Sequence, residues 1–281
     1  MKKIATDRTR RQKHGALLLG GAALSLVLAC TALETRTPMP GGDLDEWRTL
    51  FGRQCTPCHG WTGAGDGFHR ALLPLPPRNF RRERFKFISS EDGESPTPQD
   101  AVLFIRRGGR AGHMPAHPQL SDEQLNGLAS YVREIHRMGI VEELTQMFIE
   151  DEEEFTQEEV DEIAHEQTQL GTALTVPPRP WDFTPSPLAG QDLYADFCAS
   201  CHGPEGEGDG NEELYDELDR RIIARDLTQG DYRGGDTDHD LFLRIRCGLP
   251  GTAMSGLGPG SASDEEVWQL VAYLRRMATG R

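Results

Sequence analysis

The chain has 281 residues, 37% of them hydrophobic and 27% charged, with a formal net charge of -15 at pH 7. Such an excess of acid excludes nucleic acid, and an anionic membrane surface bound through the protein's body, as partners. It leaves room for docking by a basic protein.

The amino terminus departs from this balance. Lys2, Lys3, Arg8, Arg10, Arg11 and Lys13 form a basic leader, and an apolar run from Gly15 to Ala29 ends at Cys30. This is the pattern of a signal peptide over residues 1–29, and the run is short for a membrane span. Val27-Leu28-Ala29-Cys30 resembles a bacterial lipobox, in which the cysteine is acylated and becomes the first residue of the mature chain. Simple cleavage and a retained membrane helix are the competing readings. On the lipobox reading, multiple acyl chains on Cys30 anchor the protein stably. Residues 30–43, with Pro38, Pro40, Gly41 and Gly42, then read as a flexible tether.

Residues 44–140 form the first predicted domain. Leu44, Trp47, Leu50 and Phe51 give a helical apolar stripe that leads into Cys55-Thr-Pro-Cys58-His59. The same five-residue pattern recurs as Cys198-Ala-Ser-Cys201-His202 in residues 190–281, the second predicted domain, behind Leu193, Tyr194 and Phe197. Cys-x-x-Cys-His is the spacing of covalent c-type haem attachment: two thiols add to the haem vinyl groups, and the adjacent imidazole lies beneath the iron. Two covalently attached haems are expected, with His59 and His202 as proximal ligands. A shared four-thiolate zinc site or a thioredoxin-like pair is the structural alternative. The glycine-rich segments after each motif, residues 63–67 and 203–210, read as turns rather than phosphate loops. Cys247, left without a partner, reads as a small buried thiol.

Between the halves, residues 141–189 form a linker. Residues 141–170 hold twelve acids and no Lys or Arg, and Pro177, Pro178, Pro180, Pro185 and Pro187 follow. Partial helix is expected, using Leu144, Met147 and Phe148, then Val160 and Ile163, with Thr156 and Glu159 as a cap.

The two halves match beyond their motifs. Arg78-Asn79-Phe80 parallels Arg225-Asp226-Leu227, and each half closes on an amphipathic helix behind Ser121-Asp122-Glu123 or Ser263-Asp264-Glu265. Counting from Gly108 and Gly248 reaches Met114 and Met254 at the same step. Both methionines are candidate distal ligands, neutral and soft, that raise the iron's potential relative to a second imidazole. Core filling is the alternative for both. His69, His113 and His117 compete with Met114. Arg78 and Arg225 are candidate partners of haem propionates, against the alternative of solvated arginines.

With these residues, each half resembles a class I c-type cytochrome, over residues 43–137 and 190–277. The resemblance implies an all-α fold of two tandem cytochrome c-like helical domains, with the first helix of each crossing its last. It implies electron transfer between a redox protein donor and acceptor rather than catalysis, free or within a respiratory complex. The expected setting is the periplasmic side of the bacterial cell envelope, lipid-anchored to the membrane. The Arg78 to Lys86 stretch departs from the family pattern and reads as covering a haem edge or facing a partner. A dihaem cytochrome c peroxidase is the enzymatic alternative; the matching methionine in each half and the lack of an evident acid–base residue count against it.

Overall fold

In the computed structural model, which describes residues 44–109, 114–180 and 182–280, helices carry nearly all the regular structure. The leader, Cys30 and the tether lie outside the described residues. The first half holds α1 (Asp45–Gln54), α2 (Thr56–His59), α3 (Pro98–Arg107) and α4 (Asp122–Glu150). The acidic stretch adds α5 (Gln157–Gln167), and the second half holds α6 (Pro187–Phe197), α7 (Ala199–His202), α8 (Asp238–Cys247) and α9 (Asp264–Thr279). No described helix is long and apolar enough to cross a membrane.

The helix starts follow from local chemistry. Ser121 and Ser263 cap α4 and α9, Thr97 and Thr237 cap α3 and α8, and each forms a reciprocal capping box with the residue three positions on. Such a cap contributes about 1 kcal/mol. Leu125, Leu128, Tyr131, Val132 and Ile135 of α4 are buried, as are Val267, Leu270, Val271 and Leu274 of α9. The first helix of each half meets the last through a glycine. A Cβ at Gly127 would lie 2.2 Å from the Trp47 ring, and one at Gly190 would lie 2.7 Å from the Tyr273 Cβ. Phe197 departs from its expected stripe and is exposed, because the α6 face that packs on α9 runs through Gly190 and Tyr194 instead.

A two-stranded antiparallel hairpin, β1 (Leu214–Tyr215) and β2 (Arg221–Ile222), is an addition to the all-α expectation. Its turn forms because the Asp216 carboxylate accepts from the backbone N–H groups of Leu218 and Arg220, both at 3.0 Å.

The acidic stretch is a helical hairpin. α4 runs without a break past Ile140 to Glu150, and α5 folds back on it through Leu144, Val160 and Ala164, with Phe148 stacked on Phe155. The Thr156 cap forms as expected, Glu159 returning to its backbone N–H at 2.8 Å. Beyond α5 the chain lies along residues 89–96. There the Thr172 N–H donates to the Glu94 carboxylate at 3.3 Å, and the Leu174 N–H donates to the Ser89 carbonyl at 2.7 Å. Leu174 and Val176 pack against Ile88, Leu243 and Cys247, so the proline-rich connector seals a seam between the halves. Cys247 is fully buried and its thiol is pushed up to about 11 by that burial, which fits a packing role.

The basic stretch Arg78 to Lys86 touches the second half, while Arg82 and Arg84 keep solvent exposure and Arg81 pairs with Glu142 of α4. Arg84 donates to the Glu217 carboxylate at 3.1 Å, and the backbone carbonyls of Lys86 and Ile88 accept from Arg244 of α8. Phe87 stacks on Phe104 with ring centroids 4.6 Å apart, and the Arg244 guanidinium lies over the Phe87 ring. Part of the stretch thus makes an internal contact, for which Glu217 of the hairpin turn supplies the opposite charge. The described residues all belong to one compact unit.

Candidate haem sites

Each motif occupies a single helical turn. In the first half the Cys55 N–H donates to the Phe51 carbonyl at 2.8 Å, which carries α1 into α2, and the His59 N–H returns to the Cys55 carbonyl at 2.9 Å. In the second, Cys198 N–H to Tyr194 and His202 N–H to Cys198 both span 2.9 Å. The turn brings both cysteines and the histidine of each motif together. All four motif cysteines are free, and burial pushes the Cys55 and Cys198 thiols up to about 12, with the neighbouring cysteine adding to the shift. Among the described residues no group of three or more His, Cys, Asp or Glu side chains gathers as a metal site, so the two motifs do not join around one ion.

The glycine-rich segments are the turns that follow. Gly60 and Gly203 have φ of 76° and 80°, a conformation glycine adopts without strain, and the Gly65 and Gly208 N–H groups donate back to His59 and His202 at 2.8 Å. These turns aim both imidazoles the same way. His59 Nδ1 donates to the Arg78 carbonyl at 3.0 Å, and His202 Nδ1 donates to the Arg225 carbonyl at 2.9 Å. A carbonyl can only accept, so Nδ1 carries the proton and Nε2 keeps its lone pair for a metal. Burial lowers the pKa of both rings and favours the neutral form that ligation needs. Phe80 stacks on the His59 ring at 4.3 Å, a contact absent from the sequence reading.

The methionine loops also match. The Gly108 N–H donates to the Phe104 carbonyl at 2.9 Å and the Gly248 N–H to the Arg244 carbonyl at 3.0 Å. The Gly109 N–H then reaches the Met114 carbonyl at 3.0 Å, as Leu249 reaches Met254 at 2.8 Å. Met114 is followed by Pro115 but Met254 by Ser255, and the second loop is braced by Thr252, whose hydroxyl donates to the Leu249 carbonyl at 2.7 Å and accepts from the Met254 N–H at 3.2 Å. Of the competing histidines, His69 is exposed, His113 lies outside the described residues, and His117 is buried with no partner for Nδ1 among the described residues. Arg78 meets Glu83 at 3.3 Å and Glu217 at 3.6 Å, while Arg225 meets Asp231 at 2.7 Å.

The residues present fit haem: paired free thiols, an imidazole with a free Nε2 and a methionine loop, in each half. The comparisons agree. Residues 46–136 match the family model described as cytochrome c, and residues 185–274 match the model described as cytochrome c oxidase, cbb3-type, subunit III. The chain is a dihaem c-type cytochrome. The cytochrome is also similar to a chain in a solved structure titled as the Kuenenia stuttgartiensis reducing HAO-like protein complex. That similarity has a TM-score of 0.69 at 26% identity and covers 86% of this chain and 98% of the other. No curated protein matches the cytochrome. Its two cytochrome c domains imply two covalently bound haems with iron, and electron transfer through them.

Sequence reasoning missed Glu83, Glu217, Arg220 and Arg244. Each is a charged residue whose partner lies in the other half, and no local spacing announces such a pairing.

Proposed function

We propose that this cytochrome carries single electrons between a redox protein donor and acceptor on the periplasmic side of the bacterial cell envelope, held at the membrane by a lipid on Cys30. Cys55 and Cys58 attach one haem and Cys198 and Cys201 the other. His59 and His202 are the proximal ligands, and Met114 and Met254 the distal ones. The observation that carries this reading is the repeated pair of imidazole-to-carbonyl bonds, from His59 to Arg78 and from His202 to Arg225. Partners of this kind fix ring orientation and raise ligand basicity.

The haems supply the one-electron chemistry. The chain's own residues hold the ligand rings and loops in place, and the seam holds the two halves together. Arg78 and Arg225 are proposed to lie toward the propionates, in exchange for or beside their carboxylate partners. Potentiometric titration of the haem-loaded protein, followed by absorbance and EPR with and without peroxide, tests the reading. Two low-spin His/Met signals indifferent to peroxide are expected. A high-spin iron that reacts with peroxide after half-reduction would replace the carrier reading with a peroxidase.

One observation favours a second reading, a haem subunit bound permanently in an oxidoreductase complex. The similar Kuenenia chain comes from a structure of a protein complex, and nearly its whole length aligns. Purification from native membranes without crosslinker separates the readings: a free carrier elutes alone, and a subunit brings stoichiometric partners.

A further inference from the structure

The seam between the halves holds a cluster of charges that haem attachment does not require. The Glu83 carboxylate, almost wholly buried, accepts from the Asn79 N–H at 2.6 Å and pairs with Arg78 at 3.3 Å and with Arg220 of the second half. Asp216 shares Arg220 at 2.7 Å. Glu217 accepts from the Arg84 backbone N–H at 2.8 Å and its Nε at 3.1 Å, and meets Arg78 at 3.6 Å. Glu83 and Asp216 are buried while Arg84 and Arg220 keep about half their exposure, so the cluster runs from the interior of the seam to its rim.

Its ends reach different haem sites. On one side, the Arg78 carbonyl accepts the hydrogen bond from His59 Nδ1 at 3.0 Å. On the other, the Glu217 N–H donates to the Gly251 carbonyl at 3.1 Å, inside the loop that the Leu249 N–H closes on Met254. Gly251 has φ of 74°, and a Cβ there would lie 2.4 Å from the Glu217 carboxylate. Both backbone conformation and space thus demand glycine where the carboxylate meets the loop.

We propose that Glu217 is a positioning residue shared by both haem sites, fixing at once the residue that orients His59 and the loop that carries Met254. This inference rests on the ligand assignment above. Its test is therefore arranged so that either can fail alone.

The experiment compares the haem-loaded wild type with Glu217→Gln and with Glu213→Gln, which removes the same charge from an exposed position next to the same hairpin. EPR and near-infrared magnetic circular dichroism of the wild type identify the axial ligands first, and an iron without His/Met ligation overturns the assignment whatever the variants do. Spectroelectrochemical titration then follows both midpoints. Glu217→Gln keeps the main-chain bond to Gly251 and removes the charge that meets Arg78 and lies against Gly251, and it is expected to raise both, since losing a carboxylate disfavours the ferric state. Each should move by about threefold in its one-electron equilibrium constant, roughly 30 mV. Glu213→Gln is expected to move neither by as much. A shift confined to the second haem, or one matched by Glu213→Gln, overturns the shared role. If Glu217→Gln does not load both haems, Arg84→Gln frees the same carboxylate from its outer partner, and a shift of only one midpoint then overturns the proposal.

Discussion

At the scale of single residues, hydrogen bonds to the main chain and to Thr252 hold the candidate ligands in place. The Arg225 carbonyl holds His202, and the Thr252 hydroxyl holds the backbone of Met254. Replacing Met254 by His should lower the midpoint of the second haem, since imidazole favours ferric iron relative to thioether, and leave a bis-His EPR signal. Potentiometry that finds an unchanged midpoint would show that Met254 is no ligand. Lys86 gives a prediction of different kind. Burial, with Arg78 adding to it, pulls its pKa from 10.5 to about 8. The unfolded chain therefore binds the proton more tightly, so folding stability rises with pH between about 8 and 10.5. Urea midpoints measured across that window should climb, and Lys86→Met should flatten the climb; an equal slope in the variant assigns it elsewhere.

At the scale of elements, the crossing of first and last helix in each half depends on a glycine. Gly190→Val would press on the Tyr273 Cβ and the Gln269 carbonyl, and overpacking of this sort costs about 1–3 kcal/mol. Denaturation of the haem-loaded protein should show the loss, with unchanged stability arguing that the helices part without penalty. Such elements were legible in advance. The apolar stripe of α9 and the caps at Ser121 and Ser263 are local, so sequence spacing reports them directly. The parallel between Met114 and Met254 was legible because duplication repeats the spacing. The β1–β2 hairpin was not, since two residues per strand leave no alternation to recognise and its turn depends on Asp216 meeting nearby N–H groups. Nor were the internal partners of the Arg78 to Lys86 stretch, which Glu217 and Arg244 supply from the other half.

At the scale of the whole molecule, Arg244 is the bolt of the seam. Its buried guanidinium donates to the carbonyls of Lys86 and Ile88 in one half and Gly248 in the other. Arg244→Met strands these acceptors and should destabilise the joined state by about 3 kcal/mol. Urea unfolding followed at each haem should then separate into two transitions; a single transition would mean that other contacts couple the halves. The seam also bears on how the protein is made. Arg84 and Glu217 are 133 residues apart in the chain, and Arg244 and Ile88 are 156 apart. Contacts so distant in sequence form late and slowly. A chain growing from its amino terminus therefore completes Arg84 and Ile88 long before Glu217 and Arg244 exist to meet them, so the seam closes only when the second half has been made.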